Sequence, residues 1–192
     1  LVAGGKLFES VFGMDYTIAV TIGTIAVVSY TFFGGFLAVS WTDLVQGLLM
    51  AAALVIVPVA AFMSVGQGPN DVLAAKNPEL LNALTSSEGK ALGWISIVSL
   101  FAWGLGYFGQ PHILARFKAI KDKSEVKSAR RIATSWTLIG LLGAFMVGVA
   151  GIGYFETPLA DSETVFIDLV QALFHPLVAG ILLAAILAAI MS

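Results

Sequence analysis

Long apolar runs separated by short polar stretches dominate this chain. A helix of about 20 mostly apolar residues crosses the hydrocarbon core of a bilayer. Residues 1–12 match the end of one such helix, and a last one begins near Pro176 and runs to 192. Complete crossings are predicted at residues 15–38, 42–65, 93–115 and 133–155. The pattern therefore predicts an all-α integral membrane protein with about five to six transmembrane helices.

The polar residues between these runs predict the connections. Residues 67–91 are rich in Asn, Ser, Pro and charge, which predicts a loop with a short helix at 71–76. Gly34 and Gly35 are expected to close the second helix, and Pro58 to kink the third. Both ends of the chain fall inside the apolar pattern, so we expect a fragment of a longer membrane protein.

Composition agrees with lipid as the solvent. The chain is 58% hydrophobic and 11% charged, whereas soluble domains carry about 25% charged residues. The absence of cysteine excludes disulfides and thiolate metal sites. A net charge of −2 gives no general electrostatic attraction for nucleic acid. No Ser-His-Asp set, phosphate loop or carboxylate pair converges, so we do not expect an enzyme.

Basic residues predict the orientation. Seven of the ten lie in the segment 116–131: Arg116, Lys118, Lys121, Lys123, Lys127, Arg130 and Arg131. The positive-inside rule makes this loop cytoplasmic. Successive loops of a membrane protein lie on alternate sides of the bilayer. The acidic loops 67–91 and 156–163 are therefore expected outside, and a tight turn at 39–42 inside. The simplest interpretation of the basic segment is a solvated loop that fixes orientation, and a specific lipid or partner site is the alternative.

The predicted crossing at 93–115 contains the most informative stretch. Gly104, Gly106, Gly109 and Pro111 all weaken a helix there. Because lipid cannot satisfy freed backbone groups, such a break survives only where it is buried in protein or lines a cavity. Broken membrane helices are typical of transporter binding sites. We therefore expect a binding site near residues 103–111.

Two aromatic residues flank this break. Trp103 and Tyr107 are four positions apart and would share one helix face, where they could wall a small amphipathic solute. Helix packing or an interfacial aromatic belt is the alternative. Gln110 and His112 flank Pro111 and could satisfy the freed carbonyls; a proton relay through His112 is the less economical interpretation.

Two further places carry polar groups inside apolar sequence. The Ser192 hydroxyl and the Ala189 carbonyl lie within one helical turn and could give oxygen ligands to a sodium ion. Alternatively, Ser192 bonds its own i−4 carbonyl. Asp43 is expected near a helix start that Thr42 caps, and Asp168 is expected as an exposed acid on a short amphipathic segment.

Three motifs together resemble the solute:sodium symporter family. They are GGFLAVSWTD at 34–43, WGLGYFGQPHILARF at 103–117 and GILLAAILAAIMS at 180–192. The resemblance runs the whole length of the chain. The first motif is family-wide, whereas the second is similar to the proline branch of the family.

The resemblance implies a partial LeuT-type fold of two inverted repeats. Residues 1–66 would end the first repeat, 67–91 would form an outer loop, and 92–192 would begin the second repeat. It also implies sodium-coupled uptake of L-proline across the bacterial plasma membrane. A symporter of another small amino acid or carboxylate, a channel and a non-transporting membrane subunit are the alternatives.

The family also implies roles for individual residues. Trp103, Gly104, Tyr107 and Pro111 would contact the proline. Ala189 and Ser192 would supply part of a sodium site, whose other ligands lie outside this chain.

Overall fold

The computed structural model describes residues 2–86, 88–106 and 110–191. Within those ranges the regular structure is helical, as expected. It consists of eight α-helices: α1 (Val2–Phe12), α2 (Tyr16–Val65), α3 (Pro69–Lys76), α4 (Trp94–Gly106), α5 (Pro111–Lys118), α6 (Val126–Tyr154), α7 (Val165–Leu173) and α8 (Pro176–Met191). Short 3-10 turns occupy Pro78–Leu81, Lys123–Glu125 and Ser162–Thr164.

Several helices are long and apolar enough to cross a membrane. Among the described residues, Val39–Val65 and Lys123–Tyr154 pass this test singly. Tyr16–Ser29 and Thr31–Leu37, bent by 52°, make a third crossing if the pair is one span. Fewer continuous crossings are therefore found than the five to six predicted. The stretch 93–115 is split into α4 and α5, and the apolar part of α8, Pro176–Leu187, is shorter than a crossing.

The junction between the second and third predicted helices lies at Gly35. Its φ of 60° and ψ of −168° interrupt α2, a conformation that glycine adopts readily because it has no Cβ. Residues 39–42 do not form the predicted tight turn. They are helical, and the Ser40 and Thr42 hydroxyls donate to the carbonyls of Phe36 and Val39, each at 2.8 Å.

The chain divides into two compact units. Unit 1 comprises residues 1–69 and 139–192, and unit 2 comprises residues 70–138. These units differ from the predicted division at 67–91, and the inverted-repeat arrangement stays a prediction.

The core of unit 1 consists mainly of small and branched apolar residues from α1, α2, α6, α7 and α8. Val57, Leu169 and Val170 are fully buried, and alanines at 53, 61, 150, 179 and 185 pack beside them. Small residues let membrane helices approach closely, since the gain comes from van der Waals packing.

One close approach joins α2 to α6. A Cβ built on Gly143 would lie 2.8 Å from the Leu54 Cβ and 3.0 Å from the Leu54 carbonyl oxygen. That carbonyl is four residues before Pro58, which has no N–H to donate to it. Glycine is therefore required at 143 for this contact.

Unit 2 contains α3, α4, α5 and the polar segment that was predicted at 67–91. α3 spans Pro69–Lys76 and confirms the expected short helix, with Val72 and Leu73 buried. Thr85 and Ala91 form an isolated antiparallel bridge, and Lys90 pairs with Glu88 at 3.0 Å.

Candidate functional site

The interruption predicted within 93–115 is present. α4 covers Trp94–Gly106, residues 107–109 lie outside the described residues, and Gln110 has an extended backbone with φ −72° and ψ 126° before α5 begins at Pro111. Proline suits the first helical position because its missing N–H has no partner there in any helix. The Gln110 carbonyl accepts from the amides of Ile113 and Leu114 at 3.1 and 3.2 Å. One continuous helix through 103–111 is therefore excluded.

The start of α5 is the helix end that the structure describes beside this interruption. It carries partial positive charge, and the Gln110 side chain makes no cap hydrogen bond there. This end can stabilise an anion near Pro111, such as the carboxylate of a zwitterion. Residues 107–109, on the side of α4, lie outside the described residues.

Gly104 and Gly106 leave space beside α4. No described atom lies within 4 Å of a Cβ built on either residue. Gly104 and Pro111, two of the four predicted substrate residues, thus lie on either side of the interruption. The other two are not placed: Tyr107 and the side chain of Trp103 lie outside what the structure describes. The same holds for the His112 side chain.

The predicted sodium ligands lie at the end of α8. Ala189 is within this helix, whereas its side-chain environment and all of Ser192 fall outside the described residues. The structure shows how the helix is held: Leu182, Leu183 and Ala185 are buried in the core of unit 1. The sodium role of this end stays a prediction.

A polar pair in α2 was not predicted. Asp43 Oδ1 and Gln46 Oε1 are both buried atoms, three residues apart and therefore on neighbouring positions of one helix face. Asp43 does not start a helix as expected, since α2 continues through it and Thr42 bonds Val39 instead. The signal in the sequence was the three-residue spacing of two polar residues in an apolar helix, because polar side chains within such segments are expensive to bury.

A cluster of charges joins distant parts of unit 1. Lys6 Nζ on α1 lies 3.1 Å from Asp161 Oδ2 and 2.5 Å from Glu163 Oε2. Sequence analysis placed Asp161 and Glu163 in an acidic outer loop and gave no partner for them. Opposite charges so far apart along the chain leave no local pattern, so this pairing was not predictable.

Asp161 also caps the turn that follows it, in addition to its ion pair with Lys6. Its carboxylate accepts from the backbone N–H of Glu163 at 2.9 Å and caps the 3-10 turn Ser162–Thr164. This hydrogen bond, with the Lys6 ammonium beside it, lowers the pKa of Asp161 below its usual range. The Thr164 hydroxyl lies 2.7 Å from Asp168 Oδ2. Asp168 is therefore half-buried and bonded, not the exposed acid expected.

An apolar cavity in unit 1 is a poor site for a zwitterion. It measures about 230 Å³ and is lined only by apolar side chains of α2, α6, α7 and α8, including Leu54, Val147 and Phe166. A charged group buried there would lose its hydration without gaining a hydrogen bond. The interruption between α4 and α5 remains the better candidate.

Comparison with known proteins gives a family match over the whole chain. A model of the sodium:solute symporter family matches residues 1–192. No solved structure matches the chain.

Two curated relatives are similar over the same length. The chain is 50% identical over 198 residues to the high-affinity proline transporter PutP of Bacillus subtilis (strain 168), covering 100% of this chain and 41% of that protein. It is 52% identical over 195 residues to the sodium/proline symporter of Staphylococcus aureus, covering 100% of this chain and 37% of that protein. The chain therefore spans about two fifths of the length of these relatives.

Proposed function

The chain belongs to the sodium:solute symporter family, and we propose that it is the central part of a transporter that couples inward sodium movement to uptake of L-proline. Relatives at 50% and 52% identity are named as a proline transporter and a sodium/proline symporter. The observation that carries the proposal is the interruption between Gly106 and Pro111 in an otherwise apolar stretch. A non-transporting subunit has no use for such a break.

The substrate fits the chemistry of the interruption. Proline combines a zwitterionic head with an apolar ring. The start of α5 would receive the carboxylate group, since it carries partial positive charge. Trp103 and Tyr107 would pack against the ring, and Gly104 would let it approach the α4 backbone. Pro111 would hold the start of α5 in place.

Sodium would act as the co-transported substrate. The Ala189 carbonyl and the Ser192 hydroxyl would supply two of its oxygen ligands, and the others would come from outside this chain. Coupling requires that sodium favour the state that binds proline well, because a ligand shifts an equilibrium only by its difference in affinity for the two states. One charge crossing 100 mV supplies about 2.3 kcal/mol, enough for about fortyfold accumulation.

The arrangement in the membrane follows from the same proposal. We place the protein in the bacterial plasma membrane with the segment 116–131 on the cytoplasmic side. The acidic segments 67–91 and 156–163 would face outward. Residues 1–66 and 92–192 would belong to the first and second of two inverted repeats.

Uptake by the full-length protein in sealed vesicles tests the function. With an inward sodium gradient, radiolabelled proline should accumulate and then leak out when the gradient is dissipated. Unlabelled amino acids and short carboxylates added as competitors identify the preferred solute. Accumulation of another solute but not of proline would identify that solute as the substrate. Accumulation of proline without a sodium gradient would overturn the proposed coupling.

A further inference from the structure

The basic residues of the segment 116–131, from the end of α5 to the start of α6, are called the basic strip here, and the proposed transport does not use them. Its members are Arg116, Lys118, Lys121, Lys123, Lys127, Arg130 and Arg131, all exposed and all within unit 2. Only Asp122 and Glu125 oppose them, so the segment 116–131 has seven positive and two negative charges, a net charge of +5.

Few acidic groups neutralise the strip. Asp122 accepts the Ser124 backbone N–H at 3.0 Å and caps the turn Lys123–Glu125. Arg116 has an interaction partner, whereas among the described residues no ion pair within 4.0 Å involves a basic residue from Lys118 to Arg131. The positive charges from Lys118 to Arg131 are therefore available to bind an external anion.

Apolar side chains lie between the charges. Phe117 is 56% exposed beside Arg116 and Lys118, and Ile132 is 68% exposed beside Arg131. Val126, at the start of α6, is also exposed. A loop that only fixes orientation needs charge alone. Alternating cationic and apolar side chains are instead typical of surfaces that lie at the boundary between headgroups and acyl chains.

The length of α6 places the strip at that boundary. Its 29 residues extend about 44 Å at 1.5 Å per residue. The hydrocarbon core is only about 30 Å thick. Residues 132–154 carry no charge, so this part of α6 can span the hydrocarbon core. The part of α6 that extends beyond the core is then its first two turns, which contain Lys127, Arg130 and Arg131. These charges then lie in the headgroup layer.

We propose that the basic strip binds anionic phospholipids of the leaflet it faces. The Lys and Arg groups contact the lipid phosphates, and Phe117 and Ile132 contact the upper acyl chains. Attraction to an anionic membrane surface strengthens binding about fivefold for each added basic residue. This inference does not depend on which solute is transported, since it concerns lipid binding alone.

Lipid binding to the full-length protein in neutral detergent tests the proposal by native mass spectrometry. Short-chain phosphatidylglycerol should be retained in preference to phosphatidylcholine of the same chain length. The double substitution Lys121→Gln with Lys123→Gln should raise the apparent Kd for phosphatidylglycerol about 25-fold. It leaves five basic residues in the segment, which preserves the orientation signal.

The matched control removes two charges elsewhere. Lys76→Gln with Lys90→Gln lies in the segment 67–91 and should leave the apparent Kd unchanged. Equal retention of the two lipids by the unmodified protein would overturn the proposal, as would equal weakening in both variants. Inorganic phosphate should not displace the lipid more than chloride does at equal ionic strength; displacement specific to phosphate would indicate a free-anion site and overturn lipid recognition.

Discussion

Lys6 Nζ lies 3.1 Å from Asp161 Oδ2, although 155 positions separate the two residues along the chain. The contact joins α1 to the corner formed by residues 161–164, which precedes α7. Glu163 adds a second carboxylate to this contact. A membrane protein with few charges places three of them together here. The pairing therefore brings the acidic loop 156–163 beside the middle of α1.

Removing the cation should loosen this corner. We expect Lys6→Gln to accelerate backbone hydrogen exchange in residues 156–164 of the full-length protein, because Asp161 and Glu163 both lose their opposite charge. The effect should shrink in high salt, since the groups are partly exposed and screened. Lys90→Gln, which removes a local partner of Glu88, should leave exchange in 156–164 unchanged. Equal hydrogen exchange in residues 156–164 of Lys6→Gln and the parent would show that Lys6 does not stabilise this segment.

The same corner should depend on pH in a defined direction. Because folding lowers the pKa of Asp161, its contribution is fully present above the ordinary carboxyl pKa and is lost as pH falls through the lowered value. The difference in thermal midpoint between the parent and Asp161→Asn should therefore be largest above about pH 4 and vanish at lower pH.

Lys6→Gln distinguishes the two causes of that dependence. The hydrogen bond from the Glu163 backbone lowers the pKa of Asp161, and so do the hydrogen bond and the charge of Lys6. Part of the pH dependence should therefore survive in the Lys6→Gln background. Complete loss there would show that the ammonium alone lowers the pKa.

Trp103→Ala should weaken proline uptake. An aromatic side chain that packs against a ligand in a desolvated pocket commonly contributes about 2 kcal/mol, so the half-saturating proline concentration should rise about 25-fold. Trp94→Ala is the matched control, because Trp94 begins the same helix and is 73% exposed. Unchanged uptake in Trp103→Ala at equal membrane abundance would remove this residue from the substrate site.

Ser192→Ala should raise the sodium concentration needed for half-maximal transport, because it removes one proposed oxygen ligand. Proline affinity at saturating sodium should change little. Ser135→Ala serves as control, since the Ser135 hydroxyl bonds the Ile132 carbonyl on an exposed face of α6. The same sodium dependence in Ser192→Ala and the parent would exclude the hydroxyl from the ion site.

Gly143→Ala should destabilise the protein. The added methyl group would meet Leu54 at 2.8 Å, and overpacking of this kind costs about 1–3 kcal/mol. Gly140→Ala is the control on the same helix, since no described atom lies within 4 Å of its built Cβ. A thermal midpoint that falls in Gly143→Ala but not in Gly140→Ala confirms the close contact, and equal midpoints would contradict it.

Local features of the fold were readable from the sequence. Pro111 marked the start of α5, and the polar composition around Asp71 marked α3. The start of α6 was placed at 133 but lies at Val126, because Lys127 and Arg130 end an apolar run without ending a helix. Lysine and arginine are good helix formers, so hydropathy alone cut the helix short.

Long-range relationships were not readable. Gly35 was expected to close a helix, yet nothing local shows that the chain resumes helical geometry at once instead of turning at 39–42. Lys6 with Asp161, and Leu54 with Gly143, are pairs that only tertiary packing brings together. The break before α5 could be predicted because its signal is local: three glycines and a proline within a short apolar stretch. Its role as a substrate site stays a prediction.

The contact of Leu54 with Gly143 has a mechanical consequence for α2. A helix that lacks one main-chain hydrogen bond changes its curvature there more easily than elsewhere, and Pro58 creates such a weak point at the Leu54 carbonyl. The neighbour at this point is a bare Cα of α6, which has no side chain to resist. A change in the curvature of α2 is therefore expected first at the turn from Leu54 to Pro58, where Gly143 of α6 faces it.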